Sequence, residues 1–113
     1  MTVSFKYKDW HFEWDSEKEA KNIRKHGVSF KRAAILFRDG EYVIDPDFKH
    51  STVESRWVNL VLDQDHFLAV CVTWRETKTG KTSYRIISAL RISPQNVSKY
   101  RKRLRDPREG ITK

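Results

Sequence analysis

The stretch at residues 25–30, Lys-His-Gly-Val-Ser-Phe, decides how the first half of the chain folds. A glycine directly after a helical pattern, with basic residues in the last turn, is typical of a helix C-terminus. Ser29 then supplies a side-chain oxygen that can cap a following helix. We therefore predict two consecutive helices that meet at Gly27, with Lys25 and His26 at the junction.

The first of these helices is predicted to begin at Asp15 or Ser16. Ser16 with Glu19 would form a capping box, and Asp15 is an equally good N-cap. At about 100° per residue, the helix has one side of small or apolar residues and another that is mostly basic. The side predicted to rest on the core consists of Ala20, Ile23 and Gly27. The side predicted to face solvent consists of Lys18, Lys21, Asn22 and Lys25.

The remaining pattern predicts strands on both sides of the helical pair. Residues 1–10 suggest a loose leader or an edge strand, and residues 11–14 alternate as a short strand does. The second helix is predicted to run from Ser29 to about Phe37. Later strands are predicted at residues 41–45, 53–62, 67–74 and 82–91, and Ser93 with Pro94 predicts the start of a last helix. The predicted fold is a single α+β domain over residues 1–113, with an N-terminal helical pair packed on a small antiparallel sheet and a C-terminal helix.

The positive charge of the chain is concentrated in its last third. The net charge is +8, yet residues 1–74 hold 11 Lys/Arg against 12 Asp/Glu, whereas residues 75–113 hold 12 against 3. Clustered cations gain by displacing counterions from phosphates, so this asymmetry favours a nucleic-acid partner. A solvated basic tail is the plainer alternative.

Arg75 and Arg85 flank a predicted turn at Thr79 and Gly80. A hairpin folded about Gly80 would bring the two arginines face to face, although a register shifted by one residue would offset them. Like charges opposite each other destabilise a sheet, so an anion or an acidic side chain is expected between them. Arg91 shares parity with Arg85, which predicts a row of cations on one face, about 20 Å long at ~3.3 Å per residue. The row predicts a phosphate track, and pairing with acids such as Glu54 or Asp45 is the alternative.

Lys25 and His26 could either stabilise the end of the helix or take part in chemistry. Cations at a helix C-terminus gain from the helix dipole. Cleavage of RNA by its own 2′-hydroxyl needs a base, an acid and cations for the developing charge, and histidine and lysine beside arginines can supply these without a metal. Both interpretations stay open at this stage.

Several other classes of protein are disfavoured by the sequence. No HExxH pair, cysteine cluster, P-loop or GxGxxG motif is present, so we expect no metal or cofactor. The single cysteine fits a reducing compartment, and no signal peptide or apolar run of membrane-spanning length occurs. A cytoplasmic location without membrane attachment is expected.

Two blocks of residues follow each other along the chain. The first block comprises residues 12–15, Lys18, Asn22, residues 25–30, Ala33 and Phe37; the second comprises His50, Ser51, Glu54, Arg56, residues 73–75 and 85–89, and Tyr100. Together they resemble the BrnT family, the toxin halves of bacterial type II toxin–antitoxin pairs. The resemblance spans about residues 11–104, which leaves residues 1–10 as a leader and 105–113 as a basic tail. Leu90 departs from the family pattern, which usually has a basic residue there, and Arg91 follows one place later.

This resemblance implies a RelE-like fold and a metal-independent endoribonuclease that attacks through the 2′-hydroxyl and arrests translation. It also implies a hetero-oligomer with a BrnA-like antitoxin, whose ribbon-helix-helix region would bind operator DNA for the pair. The candidate catalytic residues are Lys25, His26, Arg56, Arg75 and Arg85. The candidate RNA-binding residues are Lys18, Lys21, Arg91, Tyr100, Arg101 and Arg103. The alternative function is a non-catalytic module that binds RNA, the ribosome or the antitoxin, as a decayed toxin or a co-repressor would.

Overall fold

The computed structural model describes residues 1–41 and 57–99. Within these ranges the chain forms a sheet, two complete α-helices and a short 3-10 helix that is followed by helical residues 97–99. The strands are β1 (Thr2–Tyr7), β2 (Trp10–Asp15), β3 (Trp57–Asp63), β4 (His66–Glu76) and β5 (Thr82–Ile92); the helices are α1 (Ser16–His26), α2 (Phe30–Asp39) and the 3-10 helix (Pro94–Asn96). The strand predicted at residues 41–45 and most of the predicted last helix lie outside the described residues.

The strands form one sheet in the order β1-β2-β5-β4-β3. The α+β class is confirmed, but the prediction of a purely antiparallel sheet is wrong, because β2 and β5 pair in parallel. Parallel neighbours require a crossover connection, and here the chain between them includes both helices and the β3–β4 hairpin. At the other side of β2, β1 is an edge strand that pairs along its whole length, from Thr2 opposite Asp15 to Tyr7 opposite Trp10.

Both faces of the sheet bear buried apolar side chains, but only one face carries the two helices. On the helical face, α2 contributes Phe30, Ala33, Ala34 and Phe37, which pack against Phe12, Trp14, Val70, Val72 and Ile86 from the strands. A smaller cluster on the opposite face consists of Val58, Leu60, Ala69, Cys71, Ile92 and Val97. Strand residues alternate between the faces, so the position of a polar residue in this alternation determines which face it reaches.

The junction at residues 25–30 is built as the sequence predicts. Asp15 is the N-cap of α1 and accepts a hydrogen bond from the Lys18 amide, so of the two predicted caps Asp15 is the one used. Gly27 ends α1 in the left-handed region, at φ 71°, and its amide donates to the Ile23 carbonyl oxygen across 2.8 Å. Ser29 caps α2 by accepting from the Arg32 amide.

The orientation of α1 is the opposite of the one predicted for its apolar side. Ala20, Ile23 and Gly27 are exposed, whereas Asn22, placed on the solvent side by the sequence pattern, is 7% exposed. The physical reason is that the Asn22 side chain finds hydrogen-bond partners in the interior, whereas Lys18 and Lys21 stay exposed. The Asn22 amide donates to the carbonyl oxygens of Val28 (3.0 Å) and Ala89 (2.8 Å) and accepts from the Ala89 amide (3.2 Å).

Glu19 reinforces this orientation instead of forming the predicted capping box with Ser16. One of its carboxylate oxygens accepts from the Trp14 indole N–H at 3.0 Å, and the other accepts from the Phe30 amide at 2.9 Å. Phe30 is the first residue of α2, so Glu19 joins β2 and α1 to the start of the second helix.

Among the described residues, no helix has the length and apolar character needed to cross a membrane.

Candidate functional site

An open cleft of about 680 Å³ lies beside the C-terminal end of α1. It is bounded by the end of α1, the start of β4, the end of β5 and the segment that follows β5. Among its described lining residues are three Lys/Arg and two His, and none is acidic. The lining residues are Lys25, His26, His66, Leu90, Arg91, Ile92, Ser93, Asn96 and Lys99. Such a concentration of cations suits a phosphate-bearing ligand.

Lys25 and His26 line this cleft from the last turn of α1. Neither side chain makes a hydrogen bond or an ion pair with another residue of the described ranges. The helix end is closed instead by the main-chain amide of Gly27. The two side chains are therefore available to a ligand, although their position also lets them interact favourably with the helix dipole.

Arg91 reaches the same cleft because β5 contains a bulge. Cys71 pairs with Ser88 and the next residue, Val72, pairs with Ile86, so Ile87 is an extra residue in β5. The extra residue shifts the alternation of side chains by one. Arg91 therefore lies opposite Leu68, on the helical face, and the prediction that Arg85 and Arg91 share a face is wrong.

Arg75 and Arg85 lie on the face of the sheet opposite α1 and α2, around the carboxylate of Glu13. They are diagonal neighbours, not directly opposed, because Arg75 pairs with Ser83 and Arg85 pairs with Thr73. Glu13 accepts from Arg75 Nη2 at 3.2 Å and from Arg85 Nη1 at 3.5 Å. An acidic side chain does lie between the arginines, and it is that of Glu13. Glu54 and Asp45, the acids named from the sequence, lie outside the described residues.

Exposure differs sharply among the members of this second cluster. The side chain of Glu13 is 9% exposed, whereas those of Arg75 and Arg85 are 61% and 38% exposed. Beside them, the imidazole Nδ1 of His11 lies 3.0 Å from the hydroxyl oxygen of the fully buried Ser83. Within the described part of the chain, this cluster is joined by its own ion pairs, whereas Lys25 and His26 in the cleft make none.

The structure therefore divides the predicted site residues into two groups. Lys25, His26 and Arg91 share the cleft, whereas Arg75 and Arg85 lie on the other face of the sheet. Lys18 and Lys21 are exposed on α1, as predicted. Four further candidates lie outside the described residues: Arg56, Tyr100, Arg101 and Arg103.

Two members of these groups were missed by sequence reasoning. His66 was not among the candidate residues, yet it lines the cleft together with His26. Glu13 was included in a short strand and in the first block of the family resemblance, but it was not a candidate site residue. His66 is far from His26 in the sequence, and Glu13 is far from Arg75 and Arg85, so no short sequence motif connects them. The alternation of polar and apolar residues in β2 indicated only that Glu13 lies on the same face as His11.

The described residues offer no group of three or more His, Cys, Asp and Glu side chains that could hold a metal ion. Direct comparison with curated proteins gave no match. A family model for the ribonuclease toxin BrnT of type II toxin–antitoxin systems matches residues 14–96. The matched region includes both helices, β3 to β5 and every described lining residue of the cleft except Lys99. This chain belongs to the BrnT family of ribonuclease toxins of type II toxin–antitoxin systems.

Proposed function

We propose that this protein is a metal-independent endoribonuclease with a RelE-like fold and that it arrests translation by cutting RNA at the cleft. The observation that carries the proposal is the meeting of Lys25 and His26 with Arg91 in an open, cationic cleft without a described acidic lining residue. An imidazole can transfer a proton near neutral pH. Neighbouring cations stabilise the negative charge that develops on phosphorus-bound oxygens.

Lys18 and Lys21 extend the positive surface away from the cleft along α1. Together with Arg91 and Lys99 they would bind the backbone of an RNA strand on either side of the scissile phosphate. Phosphate contacts of this kind carry no sequence information but fix the position of the strand. Binding should therefore weaken steeply as the salt concentration rises.

Membership of a type II family implies an antitoxin partner. We propose that the partner is BrnA-like, with an acidic segment that covers the cationic surface and a ribbon-helix-helix region that binds operator DNA. The toxin itself would then meet DNA only through the antitoxin. Coexpression followed by isolation of the hetero-oligomer tests the pairing, and the cleft cations should become protected in the complex.

The direct test of the nuclease is cleavage of a labelled RNA by the purified toxin in EDTA. We expect a 2′,3′-cyclic phosphate and a 5′-hydroxyl as products, and no cleavage when the scissile nucleotide lacks its 2′-hydroxyl. Cleavage that requires added divalent metal contradicts the mechanism. Salt-sensitive binding without any product favours the non-catalytic RNA-binding alternative.

Substitutions separate the proposed chemistry from a structural role. His26→Gln and Lys25→Met should reduce the cleavage rate at least tenfold while the melting temperature changes little, because neither side chain is bonded to a described residue. His11→Gln is the matched control, since His11 is a histidine on the opposite face. Parallel loss of activity and stability would indicate that the junction residues only stabilise the helix end.

The sequence-based assignment of Arg75 and Arg85 to the chemistry remains a prediction. Their ion pairs with Glu13 and their position on the other face of the sheet favour a role in binding RNA backbone. Arg75→Ala should then raise the KM for RNA and leave kcat within about threefold. A fall in kcat of a hundredfold or more, with stability unchanged, would instead locate the chemistry on the face opposite α1 and α2.

A further inference from the structure

His66 enters the cleft from a part of the fold far from His26 in sequence. It is the first residue of β4 and follows directly on the turn from β3, where Asp63 pairs with His66. The next residue, Phe67, pairs with Ile92 at the end of β5. This pairing holds the β3–β4 turn beside the segment that bears Arg91, and so beside the end of α1.

The imidazole of His66 is oriented by a neighbouring carboxylate. Its Nδ1 lies 2.8 Å from the Oδ1 atom of Asp65, and the side chain is 40% exposed. A carboxylate accepts, so Nδ1 carries the proton of this bond and Nε2 is left for another partner. The same hydrogen bond lowers the pKa of Asp65 below its ordinary value.

The cleft thus contains two imidazoles on different elements, with cations around them. Cleavage by a 2′-hydroxyl removes a proton from one oxygen and adds a proton to another, so it is served by two groups in opposite protonation states. His26 alone supplies one of these groups.

We propose that His66 is the second proton-transfer group of this site, complementary to His26. The inference rests on the proposed ribonuclease function. One neutral imidazole takes the 2′-hydroxyl proton as O2′ bonds to phosphorus. The phosphorus–O5′ bond then breaks, the other imidazole, in its protonated form, gives its proton to O5′, and a cyclic phosphate and a 5′-hydroxyl result.

A binding measurement tests the pairing of the two histidines without relying on turnover. Inorganic phosphate is titrated into the full-length protein, and the Cε1–H resonances of the histidines are followed by NMR. We expect the signals of His26 and His66 to move with a single common dissociation constant. His11 lies beside Arg75 and Arg85 on the opposite face, so any movement of its signal should follow a different dissociation constant. Movement of His26 alone, or of neither imidazole, overturns the proposal.

Kinetics then distinguishes proton transfer from simple phosphate binding. The wild-type profile of kcat/KM against pH should be bell-shaped, with one limb on the acidic side and one on the basic side. His66→Gln should lose one of these limbs and His26→Gln the other. Each variant should also cut RNA at least tenfold more slowly than the wild type. A substrate with sulfur in place of the leaving 5′-oxygen needs no protonation there, so it should restore one of the two variants and not the other.

The two failures are distinguishable. If the wild type does not cut RNA in EDTA, the proposed function fails. If it cuts RNA and His66→Gln retains both limbs and a rate within threefold, only the role of His66 is contradicted. Asp65→Asn is a further test of orientation: it should lower kcat several-fold while KM stays nearly constant, because Asp65 acts through His66.

Discussion

The side-chain amide of Asn22 donates a hydrogen bond to the main-chain carbonyl oxygen of Ala89 across 2.8 Å, which ties α1 to the central strand β5. The same side chain accepts from the Ala89 amide and donates to Val28. The contact between α1 and the sheet therefore depends on hydrogen bonds of a buried polar side chain, whereas most helix–sheet contacts depend on apolar packing. It also sets the rotation of α1 about its axis, and so the direction in which Lys25 and His26 point.

The first prediction compares Asn22→Ala with Ile23→Ala. Removing the Asn22 amide leaves buried main-chain groups without partners, so we expect a loss of about 2–4 kcal/mol in the free energy of unfolding. Ile23 is 45% exposed, and its truncation should cost less than about 0.5 kcal/mol. Denaturant unfolding of both variants measures the difference. The reverse order of stabilities would contradict the orientation of α1.

Much of the fold could be predicted from local sequence signals. Gly27 and Ser29 marked the helix junction, and Gly80 marked the β4–β5 turn, because each residue type favours a local backbone conformation or cap. Which side of α1 faces the core could not be predicted. The pattern of apolar residues was the only guide, whereas the contact depends on a hydrogen bond from Asn22 to a residue 67 positions away.

The candidate site was harder to predict than the fold. Lys25 and His26 were found because they stand at a helix end, where their type and spacing are informative. His66 and Glu13 depend on long-range pairing. The predicted common face of Arg85 and Arg91 failed because strict alternation along β5 is interrupted by one residue that has no sequence signal.

The second prediction concerns the left-handed residue at the junction. Gly27 has φ 71° and an added Cβ would meet no atom within 4 Å, so only the backbone conformation opposes a side chain there. Gly27→Ala should cost about 1–2 kcal/mol. Gly27→Asn should cost less, because asparagine adopts this conformation more readily. Equal losses in the two variants, measured by denaturant unfolding, would contradict this explanation.

The third prediction tests the shared carboxylate of the second cluster. Glu13→Gln keeps the size of the side chain but leaves Arg75 and Arg85 without their acid. We expect a loss of about 1–3 kcal/mol in the free energy of unfolding, smaller at high salt because the repulsion between the arginines is screened. Glu76→Gln is the control, since it removes the same charge from an exposed end of β4. A salt-independent loss would indicate that packing, not charge, is responsible.

The fourth prediction is a pH dependence at the contact between the N-terminal hairpin and α2. Hydrogen bonds from Tyr7 and Lys8 to the Asp39 carboxylate lower the pKa of Asp39 to about 2. A lowered pKa stabilises the folded state above the ordinary carboxyl pKa, near 4, and this contribution disappears as the pH falls from about 4 to about 2. Asp39→Asn should thus lower the melting temperature at pH 6 and have progressively less effect below pH 4.

Asp9 provides the matched control for this experiment. The Asp9 side chain is 84% exposed, and its Oδ1 atom lies 3.7 Å from Nη2 of Arg38. Asp9→Asn should therefore change the melting temperature little, both at pH 6 and below pH 4. The same contact raises the pKa of Tyr7. Stability from the tyrosine is therefore present below pH 10 and decreases at higher pH. A difference between wild type and Asp39→Asn that stays constant from pH 6 to pH 2 would contradict the assignment.

The extra residue at Ile87 has a consequence for how related chains are compared. Before Ile87, odd-numbered residues of β5 such as Arg85 lie on the face opposite the two α-helices; after it, odd-numbered residues such as Arg91 lie on the helical face. A single strand therefore places basic side chains on two separate surfaces. A chain with the same arginines but without the extra residue would carry an equal charge and present Arg91 on the other side. The two chains would have the same net charge and the same order of motifs along the sequence. Only the number of residues in β5 would distinguish them.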